Sequence, residues 1–174
     1  KAAYSAMRER SIGLGAMGFH TYLQKNNTPF ESMWASSFNN KAFSFIKDRA
    51  SAATRQLAEE RGECPDMKGS GKRNAHLLAV APNASSSIIC DGTSPSIEPN
   101  RANVYTHKTL TGSFKVRNKY LDDLLVELVP NNKKRNEVWK DIAAHEGSVQ
   151  HLDILTDEMK EVFKTAPELN QIWI

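Results

Sequence analysis

The stretch Leu77-Leu78-Ala79-Val80-Ala81-Pro82-Asn83-Ala84-Ser85-Ser86-Ser87 joins a short apolar run to a proline and then to a cluster of hydroxyl side chains. The apolar run is too short for a helix and lies between polar loops, which predicts a buried strand. Pro82 ends the ladder because it has no N–H to donate. Beyond it, Asn83 or Ser85 can cap a short helix over Ser85 to Cys90, leaving backbone N–H groups and hydroxyls aimed at one point. Such a helix start attracts anions, so the stretch reads as a strand that delivers a phosphate-sized site.

Upstream of this stretch the chain reads as helices. Lys1 to about Arg10 and Gly13 to about Gln24 are helical, joined near Ser11. From Thr28 to Arg61, Trp34, Phe38, Ala42, Phe45, Ala53 and Leu57 recur at spacings near four, which predicts one apolar face of a long helix. Thr28-Pro29-Phe30-Glu31 spells a capping box with Pro at the first helical position, and Gly62 supplies the stop. Glu63 to Asn74 is polar and turn-rich, an exposed loop.

Downstream, Asp91 to Arg101 is rich in Gly, Ser, Pro and Asn and predicts irregular backbone. Asn103 to Val116 carries β-branched and aromatic residues around Gly112, which predicts strands or a hairpin. Helices follow over Lys119–Val129, Lys134–His145 and Thr156–Lys164, and a further one begins at the capping-box spelling Thr165-Ala166-Pro167-Glu168. The organisation is one α/β, helix-rich piece: helical over 1–62, a phosphate-loop and strand region over 74–117, and helical over 118–174.

Composition narrows the class. The chain has 174 residues, enough for a real core, and a net charge of +3 with no dense basic run, which argues against nucleic acid as a direct partner. No apolar stretch approaches the roughly 20 residues of a membrane span, and no signal peptide is visible. Two cysteines, Cys64 and Cys90, make neither a disulfide framework nor a metal pattern, so a reducing, cytoplasmic setting is expected. His20, His76, His145 and His151 show no metal spacing with Cys, Asp or Glu. The chain opens at Lys1 and closes on the apolar run Leu169 to Ile174 with no stop signal, as an excised piece of a longer protein would.

Two phosphate-loop spellings fail on context. Gly13-Leu14-Gly15-Ala16-Met17-Gly18 matches the dinucleotide fingerprint, but that fingerprint follows a strand and Tyr4 to Arg10 is helix-like. Close helix packing through small glycine faces is the favoured reading; a nicotinamide-dinucleotide-binding oxidoreductase is kept as a further alternative, which requires a strand before Gly13 and which a helix there would remove. Gly69-Ser70-Gly71-Lys72 would need Gly at Asp66 and Ser or Thr at Arg73 to be a Walker loop; a solvated loop is expected.

Three segments together resemble the ribonucleotide reductase large (catalytic) subunit. Pro82-Asn83-Ala84-Ser85-Ser86-Ser87 followed by Ile97-Glu98-Pro99 resembles its substrate-diphosphate loop. Arg10-Ser11-Ile12-Gly13-Leu14-Gly15-Ala16-Met17-Gly18-Phe19 resembles its R-x-I-G-[IL]-G-x-x-G-[FL] segment, and Val162 to Leu169 resembles its F-K-T-A-x-E-[IL] segment. The three lie in the family's order.

The resemblance implies a C-terminal portion of a ten-stranded α/β barrel from a ribonucleoside-diphosphate reductase, which makes deoxyribonucleotides for DNA synthesis. It implies that Pro82, Asn83, Ala84, Ser85 and Ser86 contact the diphosphate, with Ser87 adjacent, and that Asn83 and Ala84 act through the backbone. Glu98 takes a structural role in a buried turn, and Arg101 can pair with it or with phosphate. The family's radical chemistry needs an N-x-C-x-E segment and a reducing cysteine pair; no such segment occurs here, and Cys64 and Cys90 match no catalytic position. The piece is therefore expected to be inactive alone and to bind no cofactor itself.

The complete enzyme would need a radical generator, either a dimetal small subunit or adenosylcobalamin, and the Ser-rich loop leans towards the class with a separate subunit. Implied partners are a ribonucleoside diphosphate, the rest of the large subunit, that small subunit and a second copy of the full large chain. The alternative is a non-catalytic helical interaction module whose serine turn is only a cap.

Overall fold

The computed structural model describes residues 1–109 and 112–173. In chain order the elements are α1 (Ala2–Glu9), α2 (Phe19–Lys25), α3 (Met33–Arg61), α4 (Ala84–Ile89), the strands β1 (Val104–Thr109) and β2 (Gly112–Arg117), then α5 (Lys119–Leu128), α6 (Asn132–Ala144) and α7 (Asp157–Val162), with short 3-10 turns at Pro65–Met67, Ala166–Glu168 and Gln171–Trp173. Residues 1–16 and 37–83 form one unit, and residues 17–36 with those from 84 onward form another.

In the first unit, α1 leads into an extended segment. Ile12 N–H donates to His76 O (3.0 Å), Leu14 N–H to Leu77 O (2.9 Å) and Ala79 N–H to Leu14 O (3.1 Å), which is the bond pattern of a short parallel pair. Its centre is the Thr54 hydroxyl on α3, buried and donating to Asn74 Oδ1 at 2.9 Å while accepting the Arg73 and Asn74 N–H groups. Asn74 in turn donates to Arg10 O at 2.7 Å, so two hydrogen-bonded polar side chains hold α3 and the chain on either side of the parallel pair.

The second unit holds the apolar cores. Val104, Leu121, Leu125, Trp139, Ile142, Val149, Leu152, Val162 and Phe163 pack into one cluster, and Leu23, Phe30, Ala35 and Leu169 into a smaller one. The strands form an antiparallel hairpin in register from Val104↔Arg117 to Thr109↔Gly112. The helices begin where local chemistry satisfies their first N–H groups: Asn118 caps α5, Asn131 caps α6 and Thr156 caps α7. Trp139, 2% exposed, places its indole N–H on Asp122 at 2.8 Å, so its burial leaves no donor unpaired.

A chain of buried amides crosses this unit. The Asn103 Nδ2 group donates to Phe163 O (2.8 Å) and Gly147 O (3.1 Å), and Asn118 Nδ2 donates to Asn103 Oδ1 and to Gln24 Oε1, each at 2.9 Å. Asn100 N–H donates to His20 Nδ1 at 2.8 Å. Glu31 and Lys164 pair at 2.8 Å with both side chains largely buried. Burial alone would raise the Glu31 carboxyl, but the Lys164 ammonium and the Asn170 N–H outweigh it and leave the carboxyl below its ordinary value.

Several expectations change. Residues 13–18 are not helical; α2 starts only at Phe19, because Gly13 to Gly15 are held extended by the bonds to Leu77 and Ala79. Thr28 does not cap α3: Ser32 does, accepting the Ala35 N–H at 3.1 Å, and Glu31 is engaged by Lys164 instead. The apolar stripe expected on α3 is not its buried face. Trp34, Phe45 and Ala53 are exposed, while Thr54 and Ala58 are buried in the first unit and Ala35 is buried beside Leu23, Phe30 and Leu169 in the second. The run Leu77–Ala81 is extended but not a buried strand: it makes one bridge, and Leu78 and Val80 are 39% and 67% exposed. The Thr165–Glu168 box opens a single 3-10 turn, with Glu168 accepting the Thr165 N–H at 2.7 Å.

Asn103→Ala removes the donors for two carbonyls and the acceptor for Asn118, and is expected to lower the unfolding free energy by about 2–4 kcal/mol. Urea unfolding of the full chain followed by tryptophan fluorescence measures this; a loss under about 1 kcal/mol contradicts the role given to this amide.

His20 is 1% exposed, and burial holds its imidazole down at about 4 from an ordinary 6.5. The unfolded chain takes up this proton below about pH 6.5 and the folded chain only near 4. The contribution to stability is therefore whole above 6.5 and lost as pH falls towards 4, by about 2 kcal/mol at pH 5. His20→Asn keeps an acceptor near the Asn100 N–H and does not titrate, so the difference in unfolding free energy between pH 7.5 and pH 5 should shrink by about that amount.

Candidate functional site: a polar cleft at the serine turn

The serine cluster opens a six-residue helix, α4. Ser87 is buried, and its hydroxyl donates to Ala84 O at 2.8 Å, so it is spent within the helix. Ser85 and Ser86 are exposed, and their hydroxyls remain available to a ligand. Pro82 and Asn83 end the first unit; Pro82 is exposed, and the Asn83 amide turns back to donate to Ala81 O at 3.1 Å. Of the six expected residues, Ala84 and Ser87 line the cleft of this unit, whereas Ser85 and Ser86 are exposed and are not among its lining residues.

α4 stops at Asp91 and Gly92, both left-handed with φ of 61° and 68°. The chain beyond is fastened to the start of α2. Gly18 N–H donates to Ser94 O (2.8 Å), Phe19 N–H to Ser96 O (3.3 Å) and Ser94 N–H to Thr21 Oγ1 (2.8 Å). Gly18 sits at φ +83°, and a Cβ there would lie 2.6 Å from Thr93 Oγ1. This is the physical need for the last glycine of the fingerprint-like spelling.

Within the second unit these segments border a cleft of about 1140 Å³, with Ala84 and Ser87 on one side, Tyr105 and His107 of β1 on another, and Asn100, Arg101 and Lys119 also lining it. That is slightly above the roughly 300–1,000 Å³ of a small-molecule site. Its cations are not equivalent. Lys119 pairs with Asp91 at 2.8 Å, and the hydrogen bond raises the ammonium and lowers the carboxyl from their ordinary values. Arg117 lies over the Trp139 ring at 5.1 Å and donates to Asn136 at 3.1 Å. Arg101 is exposed and makes no ion pair among the described residues, which leaves its full charge for an anion. Glu98, expected in a buried turn, is instead exposed at the cleft, because Ser96 and Pro99 on either side take the buried positions.

The other spellings resolve structurally. Helix α1 precedes Gly13, so the dinucleotide reading fails. Gly13 and Gly15 do not pack against a helix: a Cβ on Gly15 would stand 2.5 Å from Ala79 O, so the glycines admit the neighbouring extended backbone. The Gly69–Gly71 loop is closed around a carboxylate of the chain itself. Glu63 accepts the N–H groups of Gly69 and Gly71, and these bonds hold its carboxyl below the ordinary value. A loop whose amides are so occupied has no place for a phosphate. Cys64 is buried and Cys90 is exposed at the cleft.

A family model described as ribonucleotide reductase, barrel domain, matches residues 1–71 and 66–174. The chain belongs to the ribonucleotide reductase barrel family. It is 50% identical over 172 residues to a ribonucleoside-diphosphate reductase large subunit of Invertebrate iridescent virus 3, covering 99% of this chain and 27% of that protein. It is 45% identical over 176 residues to the large subunit of Invertebrate iridescent virus 6, covering 100% of this chain and 18% of the relative. Among solved structures it matches the Actinobacillus ureae class Id ribonucleotide reductase alpha subunit with a TM-score of 0.83 and 41% identity, over 98% of this chain and 30% of that one. The chain spans less than a third of each of these reductase relatives.

Reductase membership accounts for the collinear segments, but some side chains went unread. Asn103, Asn118 and Gln24 carry no sequence signal, being isolated polar residues whose partners lie far along the chain. Two of the histidines for which no metal spacing was expected come together with a carboxylate: Asp141, His145 and His151 each bring a ligand atom within 4.8 Å of the others. The i, i+4 spacing of Asp141 and His145 at the end of a helix was the readable part of that signal.

Gly18→Ala is expected to destabilise the cleft unit by about 2 kcal/mol, combining left-handed strain with the Thr93 clash. Adding Thr93→Ala should recover part of that loss and not all of it, because the strain in φ remains; a double-mutant cycle on thermal unfolding reads the coupling.

Proposed function

We propose that this chain supplies the substrate-diphosphate loop of a ribonucleoside-diphosphate reductase large subunit, as part of the family's ten-stranded α/β barrel. The observation that supports the reading is the match to the reductase barrel family along the whole chain, and the Pro82–Ser87 cluster is assigned to the loop by its resemblance to the family's segment. In this reading the N–H groups of the first turn of α4, which a helix leaves without internal acceptors, and the Ser85 and Ser86 hydroxyls donate to the diphosphate. Each charge-assisted bond contributes about 1.5–3 kcal/mol before entropy is counted. Arg101 adds attraction for the anion at the cleft.

The service to catalysis is positioning, since a fixed diphosphate orients the ribose towards the reacting groups. Those groups, a radical-bearing cysteine and a reducing cysteine pair, are assigned to the remainder of the large subunit, and the radical generator to a dimetal small subunit, with adenosylcobalamin as the alternative source. A dimer of the full large chain in the cytoplasm completes the proposal. No described helix is long and apolar enough to cross a membrane.

In a complete large subunit carrying this segment, Ser85→Ala with Ser86→Ala is expected to raise the KM for the ribonucleoside diphosphate about ten-fold or more while moving kcat less. Ser87→Ala should change KM little, because its hydroxyl is bonded inside α4. An unchanged KM in the double variant removes the site assignment and favours a serine turn that is only a cap.

A further inference from the structure

At the C-terminal end of α6, far along the chain from the serine turn, three metal-ligating side chains converge. Asp141 lies in the last turn of the helix, His145 follows one turn later, and His151 returns from the loop beyond. His145 Nδ1 is 3.3 Å from Asp141 Oδ1, and His151 Nε2 is 3.0 Å from Asp141 Oδ2. His145 Nδ1 is also 3.0 Å from Asp141 O. The two imidazole rings stack with centroids 3.7 Å apart.

From these positions we propose that Asp141, His145 and His151 form a binding site for a divalent transition-metal ion of the zinc type. An ion held at about 2.0–2.1 Å by nitrogen and oxygen ligands sets neighbouring donors about 2.9–3.4 Å apart, in tetrahedral or octahedral shells alike. The two nitrogen–oxygen separations fall in that interval. The donor set of two imidazoles and one carboxylate selects the borderline ions: calcium takes six to eight oxygens and magnesium keeps most of its water. Because the rings are stacked, each must turn about its side-chain torsions to aim its lone pair at a common point. All three side chains are at least partly exposed, so neighbouring atoms leave room for that rotation and water can fill the remaining coordination positions.

The backbone beneath the donors is already fixed. Gly147 N–H donates to Ile142 O at 2.8 Å and Ser148 N–H to His145 O at 2.9 Å, closing the turn after α6. Gly147 has φ +86°, and a Cβ there would lie 2.6 Å from Ala102 Cβ, so the turn is pressed against the chain before β1. Ile142, Val149 and Leu152 are buried on the same stretch and anchor it to the core. An ion therefore needs side-chain rotation and no rearrangement of the fold, which keeps the entropic cost of binding small.

The test is equilibrium dialysis of the full 174-residue chain against Zn²⁺ at neutral pH, in a Cys90→Ser background that removes the exposed thiol, with Co²⁺ visible absorption as a second readout. One Zn²⁺ per chain is expected, with binding weakened about ten-fold or more by Asp141→Asn and by His151→Ala and unchanged by His107→Ala. The isosteric Asp141→Asn keeps the helix end intact, and an unaltered thermal transition without metal verifies this. Zn²⁺ should raise the melting temperature of the parent chain and not of the two site variants. Equal Zn²⁺ binding by the parent and the variants, or no binding by the parent, overturns the site and leaves the cluster as a hydrogen-bonded helix end.

Discussion

The second unit depends on one buried primary amide. Asn103 is 2% exposed, and its side chain serves three partners at once: the carbonyls of Gly147 and Phe163 and the amide of Asn118. Its own backbone adds bonds to Gly147 O and from Asn118 N–H. Four chain segments are thereby registered to one another: the entry to β1, the cap of α5, the turn after α6 and the end of α7. An apolar residue could fill the volume but would strand the Phe163 carbonyl and an Asn118 N–H, leaving Gly147 O with the Asn103 backbone N–H alone, and the cost of such orphans is what makes the arrangement unique. The network continues through Asn118 to Gln24, so α2 is tied to the same centre, and α2 in turn holds the residues that border the cleft.

Polar bonds rather than apolar area also set the first unit, where the buried groups on α3 include Thr54, and where Glu63 fills the amides of the Gly69–Gly71 loop. The same economy appears in the Glu31–Lys164 pair, which replaces the capping role expected of Glu31 with a link between residues 133 positions apart. A pair this sheltered is retained only when additional donors satisfy the carboxylate, and the Asn170 N–H does so.

The functional reading rests on how the cleft distributes its donors. Ser87 and the Asn83 amide face back on their own backbone, Lys119 is held by Asp91 and Arg117 by Trp139 and Asn136, while Arg101 lines the cleft without an ion pair among the described residues. The chain belongs to the reductase barrel family, and His145 of the Asp141–His145–His151 cluster also lines this cleft.

The sequence by itself determined which elements form and where most of them stop. The stop at Gly62, the hairpin around Gly112, the short helix of the serine cluster and the collinear family segments were all legible, because each rests on neighbours within a few residues. It misjudged whatever depends on distant partners. Gly13 and Gly15 spelled a nucleotide loop or a helix face, whereas Ala79 presses against them and Thr93 against Gly18, and the stripe on α3 pointed to Trp34 and Phe45, whereas Ala35, Thr54 and Ala58 are the buried positions. His145 and His151 looked unrelated to Asp141 until the turn at Gly147 folded one back over the other. Only tertiary structure decides such cases, because the energy of a close approach or a buried hydrogen bond belongs to two segments at once, and neither segment carries the identity of its partner.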